Sequence, residues 1–395
     1  MAAMVAGAAF AADASAKLYQ EGTLAAGGNG DTSFMTLNNT NQKDADLLQF
    51  SYSGEQAGAA FRLWAQESET NYLDYEGNSG KDPIVRFRSF SMWFKPVDML
   101  KVSVGNVGQY LYTEQINWWK TPCGSSVAQA AGWDHRWSNY SGIEGAGVNL
   151  TVTPIEGLQL DFGAVPGWGK AFIDKTDTGT TIAAYGVTAK YSMGSMSFGL
   201  GWRDERITLV DGGTTTNKTK ILTVGADFNA TGFYGFVQPR LRFDDNGEGG
   251  LDLNGVVIDN YGKYSTGALS VQFRFPVTIR LTGEDSDPSY LTYRVKASYA
   301  LSGFTPYLSL ENVDYSYYNW SGNGAVADGP VCFGKDDYSV GNTFNMRVNP
   351  GVSFNVGEAA LDIGVAVDIH SAKSADTTSK DKITWSVPFT LGVAF

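Results

Sequence analysis

From Lys382 to Phe395 every second residue is apolar: Ile383, Trp385, Val387, Phe389, Leu391, Val393 and Phe395 fall on one face. Lys382, Thr384, Ser386, Thr390 and Gly392 fall on the other. Alternate side chains of a strand point to opposite sides, so this period predicts a strand with one apolar and one polar face. The run is long enough to cross a bilayer at a tilt, which takes about 9–11 residues. The pattern recurs along the chain. Val148, Leu150 and Val152 oppose Asn149, Thr151 and Thr153, and Phe198, Leu200 and Trp202 oppose Ser197, Gly199, Gly201 and Arg203. Tyr293, Val295 and Ala297 oppose Arg294, Lys296 and Ser298; Phe344, Met346 and Val348 oppose Asn345, Arg347 and Asn349. One strand breaks phase: Arg86 and Arg88 start a polar face that Phe90 and Met92 then occupy, which predicts a bulge.

Short turns and longer polar loops alternate between these runs. The short turns are read at 53–56, 96–98, 154–157, 193–194, 230–232, Pro276, 301–303 and 356–358, where Gly, Pro, Asp and Ser supply hairpin geometry. Each turn joins two strands. With an opening strand and the closing 382–395 strand, the count is about 18, an even number with both ends on the short-turn side. It falls to 16 if the opening hairpin lies outside the barrel. That opening is read as a strand at 32–40 paired through 41–44 to 45–53, after a Gly- and Ala-rich leader.

A soluble β-sandwich would also alternate, but its strands are typically shorter, about 5–6 residues. A β-helix would carry a shorter fixed repeat, which this chain lacks. The 47 Gly, 20 Tyr, 22 Phe and 10 Trp suit tight turns and aromatic girdles. The mean hydropathy of −0.18 fits strands whose second face meets water. Beyond the N-terminus no apolar stretch reaches the ~18 residues of a membrane helix. A net charge of −12 argues against nucleic acid, whose phosphates need clustered Lys and Arg. Residues 1–11 read as the remnant of a secretory signal ending in Ala9-Phe10-Ala11, which leaves 12–395 as one domain. Cys123 and Cys332 fall in long loops on one side, compatible with a disulfide in an oxidising compartment, but their distance in sequence leaves the pairing open.

With its signal-like start, alternating turns and loops, dyad strands and closing Val387, Phe389, Leu391, Val393 and Phe395, the chain resembles the Gram-negative outer-membrane porin class. The resemblance is architectural and names no solute. It implies an all-β, transmembrane, antiparallel up-and-down β-barrel with short periplasmic turns and long extracellular loops. It also implies residence in the bacterial outer membrane among its lipids, passive diffusion of small hydrophilic solutes and ions through a water-filled lumen, often a homotrimer, and one loop folded inward. The closing strand resembles the signal by which barrel-assembly machinery recognises such chains.

Phase assigns ionisable residues to the lumen. The basic set comprises Arg62, Arg86, Arg88, Lys101, Lys190, Arg203, Arg240, Arg242, Arg274, Arg280, Arg294, Lys296, Arg347 and Lys382; the acidic set comprises Asp161, Asp227, Glu284, Glu311, Asp362 and Asp368. A basic wall inside an acidic protein predicts a preference for anions, because low-dielectric walls focus such charge. Arg240, Arg242, Arg274, Arg280, Arg294 and Lys296 read as a ladder on consecutive strands, serving either selectivity or barrel filling.

The loop from Gly108 to Tyr140 is the longest, and its Tyr110, Tyr112, Trp118, Trp119, Trp133, Asp134, Arg136 and Trp137 are candidates for a constriction or for stacking a sugar. A second aromatic loop, 311–338, is placed to cover it. The acidic run 244–249 lacks the closing Glu of a calcium loop and reads as solvated surface. With His135 and His370 the only histidines, no nucleophile elbow and no Cys/His metal spacing, the chain carries no enzyme, metal or cofactor signature. Two other readings stand beside the general porin: a substrate-specific sugar channel, and a surface adhesin or structural barrel with a plugged lumen.

Overall fold

The computed structural model describes residues 13–28, 33–38, 46–66, 84–112, 141–166, 182–205, 219–245, 250–281, 293–311, 343–372 and 382–394, with short pieces at 72–73, 79–80, 125–126, 208–210, 213–215, 290–291 and 313–314. Its main sheet contains 22 strand segments, and every pairing among them is antiparallel.

The first strands in chain order are β1 (Asp13–Gly28), β2 (Ser33–Asn38 continued by Asp46–Ser53), β3 (Ala57–Gln66), β4 (Ile84–Val97) and β5 (Leu100–Gly108). Then come β6 (Glu144–Ile155), β7 (Leu158–Pro166), β8 (Ile182–Met193), β9 (Met196–Glu205), β10 (Thr219–Ala230) and β11 (Phe233–Asp245). The last are β12 (Leu251–Thr266), β13 (Leu269–Arg274 continued by Val277–Arg280), β14 (Tyr290–Leu291 continued by Arg294–Tyr299), β15 (Phe304–Glu311), β16 (Thr343–Val356), β17 (Ala359–Gly364 continued by Ala366–Ala372) and β18 (Lys382–Ala394).

Each strand pairs with the next, and β18 pairs with β1 from Tyr19↔Ala394 to Gly28↔Trp385, so the ladder returns to its start. This is the up-and-down arrangement expected from the alternating connections. Asp13 faces Ser53 at the short-turn edge, and Ala394 pairs near the same edge, so both described ends lie on that side.

Burial is inverted relative to a soluble core. Phe198 and Leu200 are 44% and 51% exposed, whereas Ser197 and Arg203 on the opposite face are at 3% and 7%. Val148, Phe162, Val187, Val224, Val237, Leu308 and Leu391 likewise stand outward and exposed. Apolar side chains gain nothing from facing water, so a continuous apolar exterior over a polar interior is the arrangement lipid demands.

Three sequence expectations need correction. The Gly- and Ala-rich stretch read as a leader is β1 itself, held by hydrogen-bonded neighbours on both edges. The segments 33–38 and 46–53 do not pair with each other; they follow one another along β1. Pro276 is not a hairpin turn. The turn lies at Gly267, whose φ of 54° suits a residue without Cβ, and Pro276 sits in the break between the two pieces of β13.

The expected bulge is present. Arg62 pairs with Ser89 and Leu63 with Phe87, leaving Arg88 as the extra residue.

A break in a membrane strand exposes backbone groups that lipid cannot satisfy. At the β13 break the Asn260 side chain replaces the ladder: its Nδ2 donates to the Phe275 carbonyl at 2.6 Å, and its Oδ1 accepts from the Phe275 N–H at 2.9 Å. At the β17 break the Val365 N–H reaches the Pro350 carbonyl at 2.9 Å. Asn260→Ala is therefore expected to lower barrel stability by about 1–3 kcal/mol, because lipid offers the stranded backbone groups no other partner. A lower urea midpoint in lipid vesicles checks this.

Candidate pore lining and the inserted segment

The polar face of the barrel carries two distinct regions. On β7 to β10 it is lined by glycines in register: Gly163 pairs with Gly186 and Gly199 with Gly225, with Gly201 two residues along β9. On β11 to β16 it is lined by arginines and acids.

The chain leaving β5 turns onto the glycine side. A Cβ added to Gly163 would lie 2.4 Å from Ile143 Cδ1, and one on Gly201 would lie 2.4 Å from the Ser141 carbonyl oxygen. On Gly199 it would meet Leu111 at 2.8 Å, and on Gly225 it would meet Tyr112 at 2.6 Å. Residues 109–112 and 141–143, the two described ends of the long loop, thus lie directly on the inner wall. Only glycine lets the inserted backbone come that close.

Hydrogen bonds fix the two ends to each other and to the wall. Gln109 N–H donates to the Ile143 carbonyl at 2.9 Å, and the Ile143 N–H donates back to Gln109 Oε1 at 3.0 Å. Gln109 Nε2 reaches Asn149 Oδ1 at 2.8 Å. The Tyr112 hydroxyl lies 3.1 Å from Ser197 Oγ, its carbonyl accepts from Gln238 Nε2 at 2.9 Å, and its ring stacks on Phe236 with centroids 5.6 Å apart. Lys190 Nζ stands 4.6 Å over the same ring and 3.9 Å from Asp227. Burial raises the pKa of the Tyr112 hydroxyl; the bond to Ser197 opposes this and nearby Asp227 adds to it, so the group stays protonated.

The arginine side is built from two triads. Asp259 accepts from Arg274 Nε and Nη2, each at 2.9 Å, and lies 3.4 Å from Arg240 Nη2. Glu311 lies 3.1 Å from Arg294 and 3.9 Å from Arg347, each directly across the ladder from it. Arg274 and Arg294 face one another across β13 and β14, joining the triads. Gln238 also donates to Asp259 at 3.3 Å, so the inserted segment and the first triad share one side chain.

Arg240, Arg274, Arg294 and Arg347 are 0–2% exposed. Of the expected ladder, Arg240, Arg274 and Arg294 come together here; they are joined by Arg347, interleaved with Asp259 and Glu311, and closed off from solvent, whereas Arg242 and Lys296 lie apart and only partly buried. Sequence reading missed Asp259; its signal was an acid in phase with Val257 and Tyr261, two inward residues that read as apolar. Phe236 and Tyr261, which pack with Tyr112 and Leu111, were missed for the same reason.

The remaining candidates are spread more widely. Arg203 is buried on β9 opposite Gly186. Arg242 pairs with Asp244 at 2.9 Å near the rim, and Asp244 also bonds Thr219 and Asn254, so this part of the acidic run is tied into the barrel. Lys296 stands 4.3 Å over the Tyr307 ring, whose hydroxyl donates to Asp362 at 2.6 Å. Arg86 pairs with Trp64, and Arg280 ends β13 opposite Gly255. Tyr110 is 45% exposed. Trp118, Trp119, Cys123, Trp133, Asp134, Arg136, Trp137 and Cys332 lie outside the described residues, as does the segment 1–11. Ser125 and Ser126 pair with Asp314 and Val313, so the second long loop does meet the first.

No known protein-family model matches the chain, and no curated protein matches it in sequence. Solved structures do match in shape. OccK3 (OpdO) of Pseudomonas aeruginosa superposes with a TM-score of 0.51 at 9% identity, over 97% of this chain and 96% of that one. OpdL of the same organism gives 0.52 at 9% identity, over 97% and 99%. At such identities the likeness is one of fold, and at that level the porin-class resemblance of the sequence holds.

Proposed function

We propose that the chain is an outer-membrane porin through which small hydrophilic solutes and ions diffuse passively, with a preference for anions. The observation that carries the reading is the inverted distribution of side chains: an exposed apolar exterior around an interior of arginine, lysine, glycine and hydrogen-bonded polar groups. Such a barrel is stable only in lipid, and its polar interior suits water-borne solutes. The preference for anions rests on the excess of inward bases over acids. Among the two triads alone, four arginines face two carboxylates. Insertion by barrel-assembly machinery acting on β18, and a homotrimeric state, belong to the same reading.

The burial of the arginine triads favours a second reading, a structural or adhesive barrel whose lumen is filled. Reconstitution into planar bilayers separates the two. A porin gives stepwise ion conductance and makes liposomes permeable to small sugars; a filled barrel inserts and gives neither.

A further inference from the structure

The inner wall does not receive the long loop at an arbitrary place. Five inward glycines on four neighbouring strands, Gly163, Gly186, Gly199, Gly201 and Gly225, form a shallow bed, and residues 109–112 and 141–143 occupy it. A Cβ on Gly186 would fall 2.6 Å from Gln109 Oε1 and 2.8 Å from the Ile143 nitrogen. Two side chains then lock the segment from opposite ends of the bed. Gln109 spans Asn149, the Gly186 carbonyl and Ile143, while Tyr112 is held by Ser197, Phe236 and Gln238. Gln238 carries the connection on to Asp259 in the arginine triad.

We propose that this bed and its two latches, Gln109 and Tyr112, are positioning elements that set the bore of the pore by pressing the inserted segment flat against one side of the lumen. The proposal rests on the channel reading above and adds which residues fix the aperture. Glycine is needed because the segment approaches to contact distance, and any side chain on the bed moves it toward the centre. The latches are needed because backbone packing alone is weakly directional. Tyr112 is suited to the role. Its ring fills the space beside Phe236 while its hydroxyl and carbonyl bond to two different strands. Below the segment, at the short-turn end, a cavity of about 370 Å³ lined by Thr153, Gln159, Lys190 and Ser192 stays open to water.

Two variants test this, with amide hydrogen exchange and single-channel current read on the same preparations. Gly201→Leu collides with the Ser141 carbonyl and is expected to lower open-channel conductance at least twofold. It should also remove exchange protection from the amides of Gln109 and Ile143. Tyr112→Phe keeps the ring and loses the hydroxyl bond to Ser197; it is expected to fold as the parent does and to flicker between conductance levels that the parent lacks. Heat-dependent migration on gels confirms that each barrel has formed. If the folded Tyr112→Phe protein gives the parent's steady current and the parent's exchange protection, the proposal is overturned. A parent protected at Gln109 and Ile143 but without current makes the segment a plug, and this overturns both the bore and the channel reading. A conducting parent with no protection at these amides overturns the bed while leaving the channel reading in place.

Discussion

Asp259→Asn is expected to destabilise the barrel by about 3–5 kcal/mol, the cost of removing one partner from a buried ion pair. Asp259 is 1% exposed and is the carboxylate within reach of both Arg240 and Arg274 in the first triad. Asparagine keeps the shape and one acceptor oxygen but removes the charge that offsets two guanidinium groups. Desolvation already strains the pair, and losing the counter-charge leaves cations where water cannot reach them. The contrast lies in a variant that also replaces Arg240 and Arg274 with Met. Removing the whole set is tolerated far better than breaking it, so this variant should recover most of the loss. Urea unfolding in lipid vesicles, followed by tryptophan fluorescence, measures both. An Asp259→Asn midpoint equal to the parent's would mean that water screens the triad.

Leu200→Arg is expected to cost about 2–4 kcal/mol, because it places a cation in the lipid near the midplane. Leu200 lies in the middle of β9, paired with Ala189 and Val224, and is 51% exposed on the outer face. In a water-soluble protein, changing so exposed a leucine to arginine would be nearly neutral or helpful. The same substitution thus separates a lipid-facing surface from a wet one. The readout is the fraction of chains that fold into vesicles and the urea midpoint of those that do.

Much of the fold was legible because lipid imposes a strict rule on alternate positions. The runs around Phe198 and Leu200 and along β18 could satisfy it in one way only, so strands, faces and the β4 bulge followed from residue order. The start of the chain was harder. β1, rich in Gly and Ala, carries a weak alternation in its sequence; its place depends on β18, far away in sequence. Pro276 misled for a chemical reason. Proline ordinarily punctuates hairpins, but here Asn260 supplies the hydrogen bonds that a break inside the strand would forfeit.

The site was legible in part. Phase brought Arg240, Arg274, Arg294 and Arg347 to one wall, as alternation requires, yet it could not reveal that Asp259 and Glu311 sit between them. That depends on register across strands. The glycine bed was visible only as Gly in polar phase, and nothing local says that a distant loop will lie on it. Tyr112 could be named as a loop aromatic, whereas its partners Phe236 and Gln238 come from a strand more than a hundred residues away.

As proposed above, the barrel is an open conduit whose inner wall favours anions. The reversal potential of the reconstituted protein under a potassium chloride gradient addresses both halves at once. Steady current is expected, with a reversal potential displaced toward the chloride equilibrium value. The displacement should shrink as total salt rises and the wall charge is screened. A displacement toward the potassium value, or insertion without current, would contradict it.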